Sequence, residues 1–166
     1  MQDQLATWSI RTPTGGITTI AGTPVTAIQY TASATNTAEL LYVSISQSGS
    51  TTSLMDQVRV VRKTAGATVT AGVVGTTIFD ATGNASSGAG TFRGVLSTAA
   101  TGVVATAEGT DGDEPFRFNF NTLAGYEKDW QPNARLWVPV NGIIAVKIKS
   151  VVAVTYDVTM VIRELK

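Results

Sequence analysis

Four acids in one short stretch, Glu108, Asp111, Asp113 and Glu114, are the side chains best spaced for chemistry. Clustered carboxylate oxygens suit a hard cation such as Ca2+. Two carboxylates facing each other across a cleft would suit glycoside hydrolysis. Neither pattern is complete. Asp111-Gly112-Asp113-Glu114 lacks the spaced ligands and terminal Glu of an EF-hand loop, and nothing in the sequence sets two of these acids opposite one another. A solvated turn is the simpler reading. The chain has no histidine and no cysteine. That removes the commonest general base, the thiolate and imidazole zinc ligands, and every Ser-His or Cys-His nucleophilic pair. No catalytic residue, metal ligand or cofactor is assigned, and an enzyme is not expected.

Other chemical motifs are weaker still. Gly88-Ala89-Gly90-Thr91-Phe92-Arg93-Gly94 misses the dinucleotide-binding spacing by one residue, and no helix pattern follows to meet a phosphate. Asn84-Ala85-Ser86 is formally a glycosylation sequon, but residues 1–4 show no secretory signal, so it reads as accidental. Ser86-Ser87-Gly88 has its glycine in the wrong place for a nucleophile elbow. Arg59, Arg62 and Lys63 form one basic group, and Lys147 and Lys149 another. They suit either a solvated strand face or a salt-bridging surface for an acidic partner.

The aromatic residues off the core pattern carry more information. Trp137 lies on the face opposite Leu136 and Val138, Tyr126 and Trp130 sit in an irregular segment, and Trp8 stands near the N-terminus beside Ile10. Trp and Tyr are enriched at interface hot spots because they bury large area at little entropic cost. Trp8, Ile10, Tyr126, Trp130 and Trp137 are therefore the candidate partner-interface residues. The same rings would also serve to cover clusters within their own chain, or to platform a sugar.

The elements that must position these residues are strands. Over residues 152–163 every second residue is apolar (Val152, Val154, Tyr156, Val158, Met160, Ile162), the period of a strand with one buried face. Ile144, Val146 and Ile148 alternate with Lys147 and Lys149 just upstream, as a natural partner strand. Phe116, Phe118 and Phe120 alternate with Arg117 and Asn119, so three rings point one way. Leu41, Val43 and Ile45 line one face of an earlier strand, and Val58 and Val60 one face of the next. Asn141-Gly142 predicts a type I′ hairpin between residues 138–140 and 143–148. Pro139 marks the first of those strands as an edge or a bulge. Short strands are expected at 68–71, 76–80, 91–96 and 103–107, with a long loop at 81–90.

Turn signals about every ten residues and no βαβ pattern predict an all-β protein, an antiparallel β-sandwich or jelly roll. Residues 1–36, broken by Thr12-Pro13-Thr14-Gly15-Gly16 and Gly22-Thr23-Pro24, read as an N-terminal extended arm with short strands. Residues 37–166 form the sandwich domain. Formal net charge is zero and only 14% of residues are charged, against about 25% in soluble domains. No basic stripe for a nucleic acid and no apolar run of about 20 residues for a membrane are present. A surface so poor in charge fits one that partners cover, or one hydrated by Ser and Thr.

Three segments carry a family resemblance: Thr37-Ala38-Glu39-Leu40-Leu41-Tyr42-Val43, Asp56-Gln57-Val58-Arg59-Val60-Val61, and Ala134-Arg135-Leu136-Trp137-Val138-Pro139-Val140 with the Asn-Gly turn after it. In style and strand order, residues 37–165 resemble the jelly-roll decoration (cement) proteins that coat bacteriophage heads. The resemblance implies a homotrimer seated on the lattice of a major capsid protein, a virion component made in the host cytoplasm that resists internal genome pressure. It carries over no catalytic residues. The arm would be the part freest to reach neighbours. A similar style in phage fibre and tail-tip domains keeps a second expectation open, a carbohydrate- or receptor-binding β-sandwich module.

Overall fold

The computed structural model describes residues 4–49, 53–71, 73–80, 95–98 and 105–165. Among them there is no helix, and the strands are β1 Gln4–Arg11, β2 Ile17–Thr18, β3 Val25–Thr31, β4 Thr37–Gln47, β5 Met55–Ala65, β6 Thr70–Ala71, β7 Val73–Asp80, β8 Val95–Thr98, β9 Thr110–Asp111, β10 Phe116–Asn121, β11 Tyr126–Asp129, β12 Leu136–Val138, β13 Ile143–Lys149 and β14 Thr155–Leu165. They make two antiparallel sheets facing each other as a β-sandwich. The first has the order β11-β4-β14-β1-β7, with β12 also on β4 and β2 on β14. The second runs β10-β5-β13-β3-β8-β6, with β9 on β5.

The period-two pattern of β14 is realised as read. Val154, Tyr156, Val158, Met160 and Ile162 all enter the core, while Val152 lies before the strand and is exposed. Each such aliphatic side chain, once buried, contributes roughly 1.5–3 kcal/mol. The facing layer comes from Ile28 and Tyr30 of β3, Val58 and Val60 of β5, and Ile144, Val146 and Ile148 of β13. β13 and β14 are thus not hairpin partners. β13 pairs with β3 and β5, β14 with β1 and β4, and both line the same core.

The Asn141-Gly142 turn forms, but as a corner between sheets. Gly142 N–H donates to Pro139 O at 2.8 Å, and Asn141 has φ 57° while Gly142 is not among the glycines with positive φ. One positive φ, at the third turn position, is the type II pattern rather than I′. Before the turn β12 lies on β4 in the first sheet; after it β13 enters the second.

Two further expectations change. Residues 4–36 do not extend from the body as an arm: β1 lies between β14 and β7, β3 lies between β13 and β8, and Trp8, Ile10, Ile28 and Tyr30 are core residues. In β4, Leu40 rather than Leu41 points inward with Val43 and Ile45. The register against β14 slips between Val161 and Ile162, and that bulge turns the face by one residue. Of the short strands, 76–80 falls within β7, residues 70–71 form β6, and 95–96 open β8. The 81–90 loop, the Gly88–Gly94 motif, the Asn84 sequon and the Ser86-Ser87-Gly88 motif lie outside the described residues.

Candidate functional site

The acidic stretch and both basic groups meet in one place. Residues 105–114 cross the outer face of the second sheet, where β9 pairs with the end of β5. Lys63 Nζ donates to Glu108 O and to Asp111 Oδ1, the latter at 2.9 Å. Lys147 Nζ donates to Asp111 Oδ2 at 2.9 Å and lies 3.4 Å from Glu108 Oε2. Glu108 also accepts from Thr26 N–H at 3.0 Å and from Thr26 Oγ1 at 2.6 Å. Further along, Arg62 pairs with Asp113 at 2.6 Å, and Glu114 bridges Arg59 and Arg117.

Lys63 and Lys147 are therefore buried, with Val61 and Ala145 beside them, although all four lie on the face of the sheet turned away from the core. The solvated-turn reading is corrected for Glu108, Asp111 and Glu114, which are partly buried, and holds for the exposed Asp113; the solvated-face reading of Lys147 is corrected. Arg59, Arg62, Lys63 and Lys147 thus find acidic partners within the chain, while Lys149 stays exposed. Among the described residues no group of three or more acidic side chains is placed to hold a metal ion. Burial alone would push the Asp111 carboxyl up, but hydrogen bonds from Lys147 and Lys63 bring it below its ordinary range. Glu114 is drawn down to about 2, chiefly by the hydrogen bond from Arg117, with Arg59 adding to it against burial.

The five candidate interface residues are not brought together. Trp8, Ile10 and Trp130 are 7%, 0% and 5% exposed and belong to the core. As placed they cover their own chain rather than a partner. Tyr126 is half-buried at the edge of the sandwich where β10 and β11 face each other. Its ring stacks on Phe118 with centroids 4.6 Å apart, and Phe116 and Phe120 flank it at 6.3 and 6.1 Å. Phe116 also meets Trp130 edge-on at 5.6 Å, and Lys128 Nζ lies over both rings at 5.9 and 6.0 Å. The three phenylalanines do face one way, and they close this edge together with Tyr126. Burial pushes the Tyr126 hydroxyl up to about 12.

Trp137 alone of the five presents a large open surface, 47% exposed. It stands opposite Glu39 on the outer face of the first sheet, where Glu39 pairs with Arg163 and, at 3.6 Å, with Arg135. Its carbonyl accepts from Arg62 Nη2 at 3.2 Å, which ties it to the second sheet. Val140 is exposed two residues beyond the end of β12.

Sequence reasoning missed two pairs inside the sandwich. Tyr156 of the first sheet donates across the core to Asp56 of the second. Tyr30 of the second donates to Glu164 of the first at 3.0 Å. Burial, reinforced by Asp56, raises the Tyr156 hydroxyl; burial, reinforced by Glu164, raises that of Tyr30. The available signal was Asp56 and Glu164 themselves, since each falls at an inward position of a strand otherwise apolar on that face.

No family model, no curated protein and no solved structure matches the chain.

Proposed function

We propose that this chain is a structural protein of a bacteriophage virion, a jelly roll that binds the lattice of a major capsid protein as a homotrimer and stabilises it. The observation that carries the reading is the strand order. β1 pairs with β14, β3 with β13, β4 with β11 and β5 with β10, so strands early in the chain meet strands late in it as nested pairs. Successive members alternate between the two sheets. A long double strand rolled up on itself gives this order, that of an eight-stranded jelly roll. β6 to β9, all between β5 and β10, are then additions to that frame.

The charge pattern supports the lattice-binding reading. Glu108, Asp111, Asp113, Glu114 and Glu39 are neutralised within the chain, and Trp137 and Val140 are left outward near the β12 corner. An exposed Trp opposite a paired Glu39 fits a hot spot of an assembly contact. The test is co-sedimentation with empty heads assembled from the cognate major capsid protein. Saturable binding that Trp137→Ala weakens at least tenfold is expected; no binding at any concentration overturns the proposal.

One observation favours a second reading, a carbohydrate- or receptor-binding module of a fibre or tail tip. A shallow pocket of 260 Å³ lies between β4 and the start of β11, lined by Ser44, Ser46, Gly125, Tyr126 and Glu127. Hydroxyls, a carboxylate and a ring edge are the groups that hold a saccharide. A glycan array decides it: a signal lost in Glu127→Gln supports this reading, and a blank array removes it.

A further inference from the structure

We propose that the end of the sandwich around Asp56 holds a sodium ion between the sheets. The observation is a buried carboxylate oxygen and a buried amide left without hydrogen-bond partners among the described residues. Asp56 is 1% exposed, and its Oδ2 accepts from the Tyr156 hydroxyl, but its Oδ1 has no hydrogen-bond partner among the described residues. No ammonium or guanidinium among the described residues pairs with it, unlike the acids of the 105–114 segment. Ser150, also 1% exposed, meets the Tyr156 hydroxyl with its own side-chain hydroxyl. Gln47 is the register partner of Tyr156 on β4, and both ends of its buried amide lack a partner among the described residues.

Tyr156 thus meets Asp56 of β5 and Ser150 at the end of β13, and its strand neighbour Gln47 of β4 lies at the same end of the sandwich. Orphaned polar atoms this deep are rare, and each is costly unless something meets it. A lone buried carboxylate is costlier still without a counter-charge.

The chemistry selects the ligand. Asp56 Oδ1, Gln47 Oε1, Ser150 Oγ and the Tyr156 hydroxyl are all hard oxygens, which suit hard cations rather than soft ones. One carboxylate supplies one negative charge. A monovalent ion balances it, whereas a divalent ion would leave a positive charge in the core. The route in is a small pocket of 170 Å³ at the same end, lined in part by Gln47 and Thr122.

The experiment is thermal unfolding of the full chain in sodium chloride and in tetramethylammonium chloride at equal ionic strength. The bulky organic cation screens surface charge but cannot enter such a site. A ligand held only by the folded state raises Tm, here by roughly 2–4 °C in sodium. Asp56→Asn should abolish the difference between the salts, and Ser150→Ala should shrink it. If Asp56→Asn fails to fold, Ser150→Ala together with sodium-23 line broadening by the wild-type protein carries the test. Equal Tm values in the two salts overturn the proposal, as does a sodium effect that persists undiminished in both variants. Neither result touches the capsid reading, which is decided by co-sedimentation.

Discussion

Asp111 and Asp56 are both drawn away from water, but Asp111 meets two ammonium groups and Asp56 meets a phenol. The first belongs to a segment laid over the outer face of the second sheet, held by Lys63 and Lys147 from β5 and β13. The second lies between the sheets, tied to Tyr156. On the outer face, opposite charges from distant parts of the chain meet, so a region that reads as a solvated surface becomes a third layer. Inside, a neutral hydroxyl satisfies one carboxylate oxygen and leaves the other in need. A charge that is matched serves as a fastener, and a charge that is only half matched becomes a binding site.

Removing residues 1–36 breaks the comparison altogether, because both regions need β3 and the core needs β1. The truncated chain should be insoluble or lack a cooperative melt; a folded, soluble body by circular dichroism would restore the arm. Next in size is Lys147→Ala, which leaves Asp111 and Glu108 partly buried with a single ammonium between them. A loss of about 2–3 kcal/mol in denaturant unfolding is expected, below the 3–5 kcal/mol of a fully buried pair because these acids keep some water contact. Tyr156→Phe should cost about 1–3 kcal/mol by leaving Asp56 Oδ2 unsatisfied as well. A smaller loss for Tyr156→Phe than for Lys147→Ala sharpens the contrast, and the reverse order breaks it.

Acid tests the outer face. Glu114 falls from 4.5 to about 2 on folding, and Asp111 is also lowered. Groups whose folded value is depressed stabilise the protein above their unfolded value, and that stability is lost as pH falls through the folded one. Stability should therefore decline between about pH 5 and pH 2. Glu114→Gln should flatten the decline in a pH series of Tm values. An unchanged slope would show that the Arg59 and Arg117 contacts carry little. The smallest stability effect belongs to Trp137→Ala, within about 0.5 kcal/mol as for most surface changes, although it should impair assembly.

Local periodicity was legible and pairing was not. The alternation of Tyr156 through Ile162 and of Phe116 through Phe120 states which residues face inward, since side chains on a strand have period two. It does not state which strand lies alongside. Ile144–Ile148 looked like the hairpin partner of β14 because they are neighbours in sequence, yet a nested fold sends neighbours to opposite sheets. Lys147 read as solvated because its alternation is that of an outward residue; only the return of Glu108 and Asp111 over that face buries it. The Leu40–Leu41 reversal follows from a bulge that no composition signal marks. Of the interface candidates, Trp137 is exposed because β12 is short and lies at the sheet margin. Trp8 and Ile10 are buried because β14 from the far end of the chain and β7 from its middle flank β1, and a linear reading of an N-terminus does not contain them.

The proposed virion role rests on assembly, and the most direct measurement is the mass of the purified protein by multi-angle light scattering across a concentration series. The account predicts a stable species of about 52 kDa, three copies of the 17.3 kDa chain. A constant 17.3 kDa at every concentration would contradict the homotrimer.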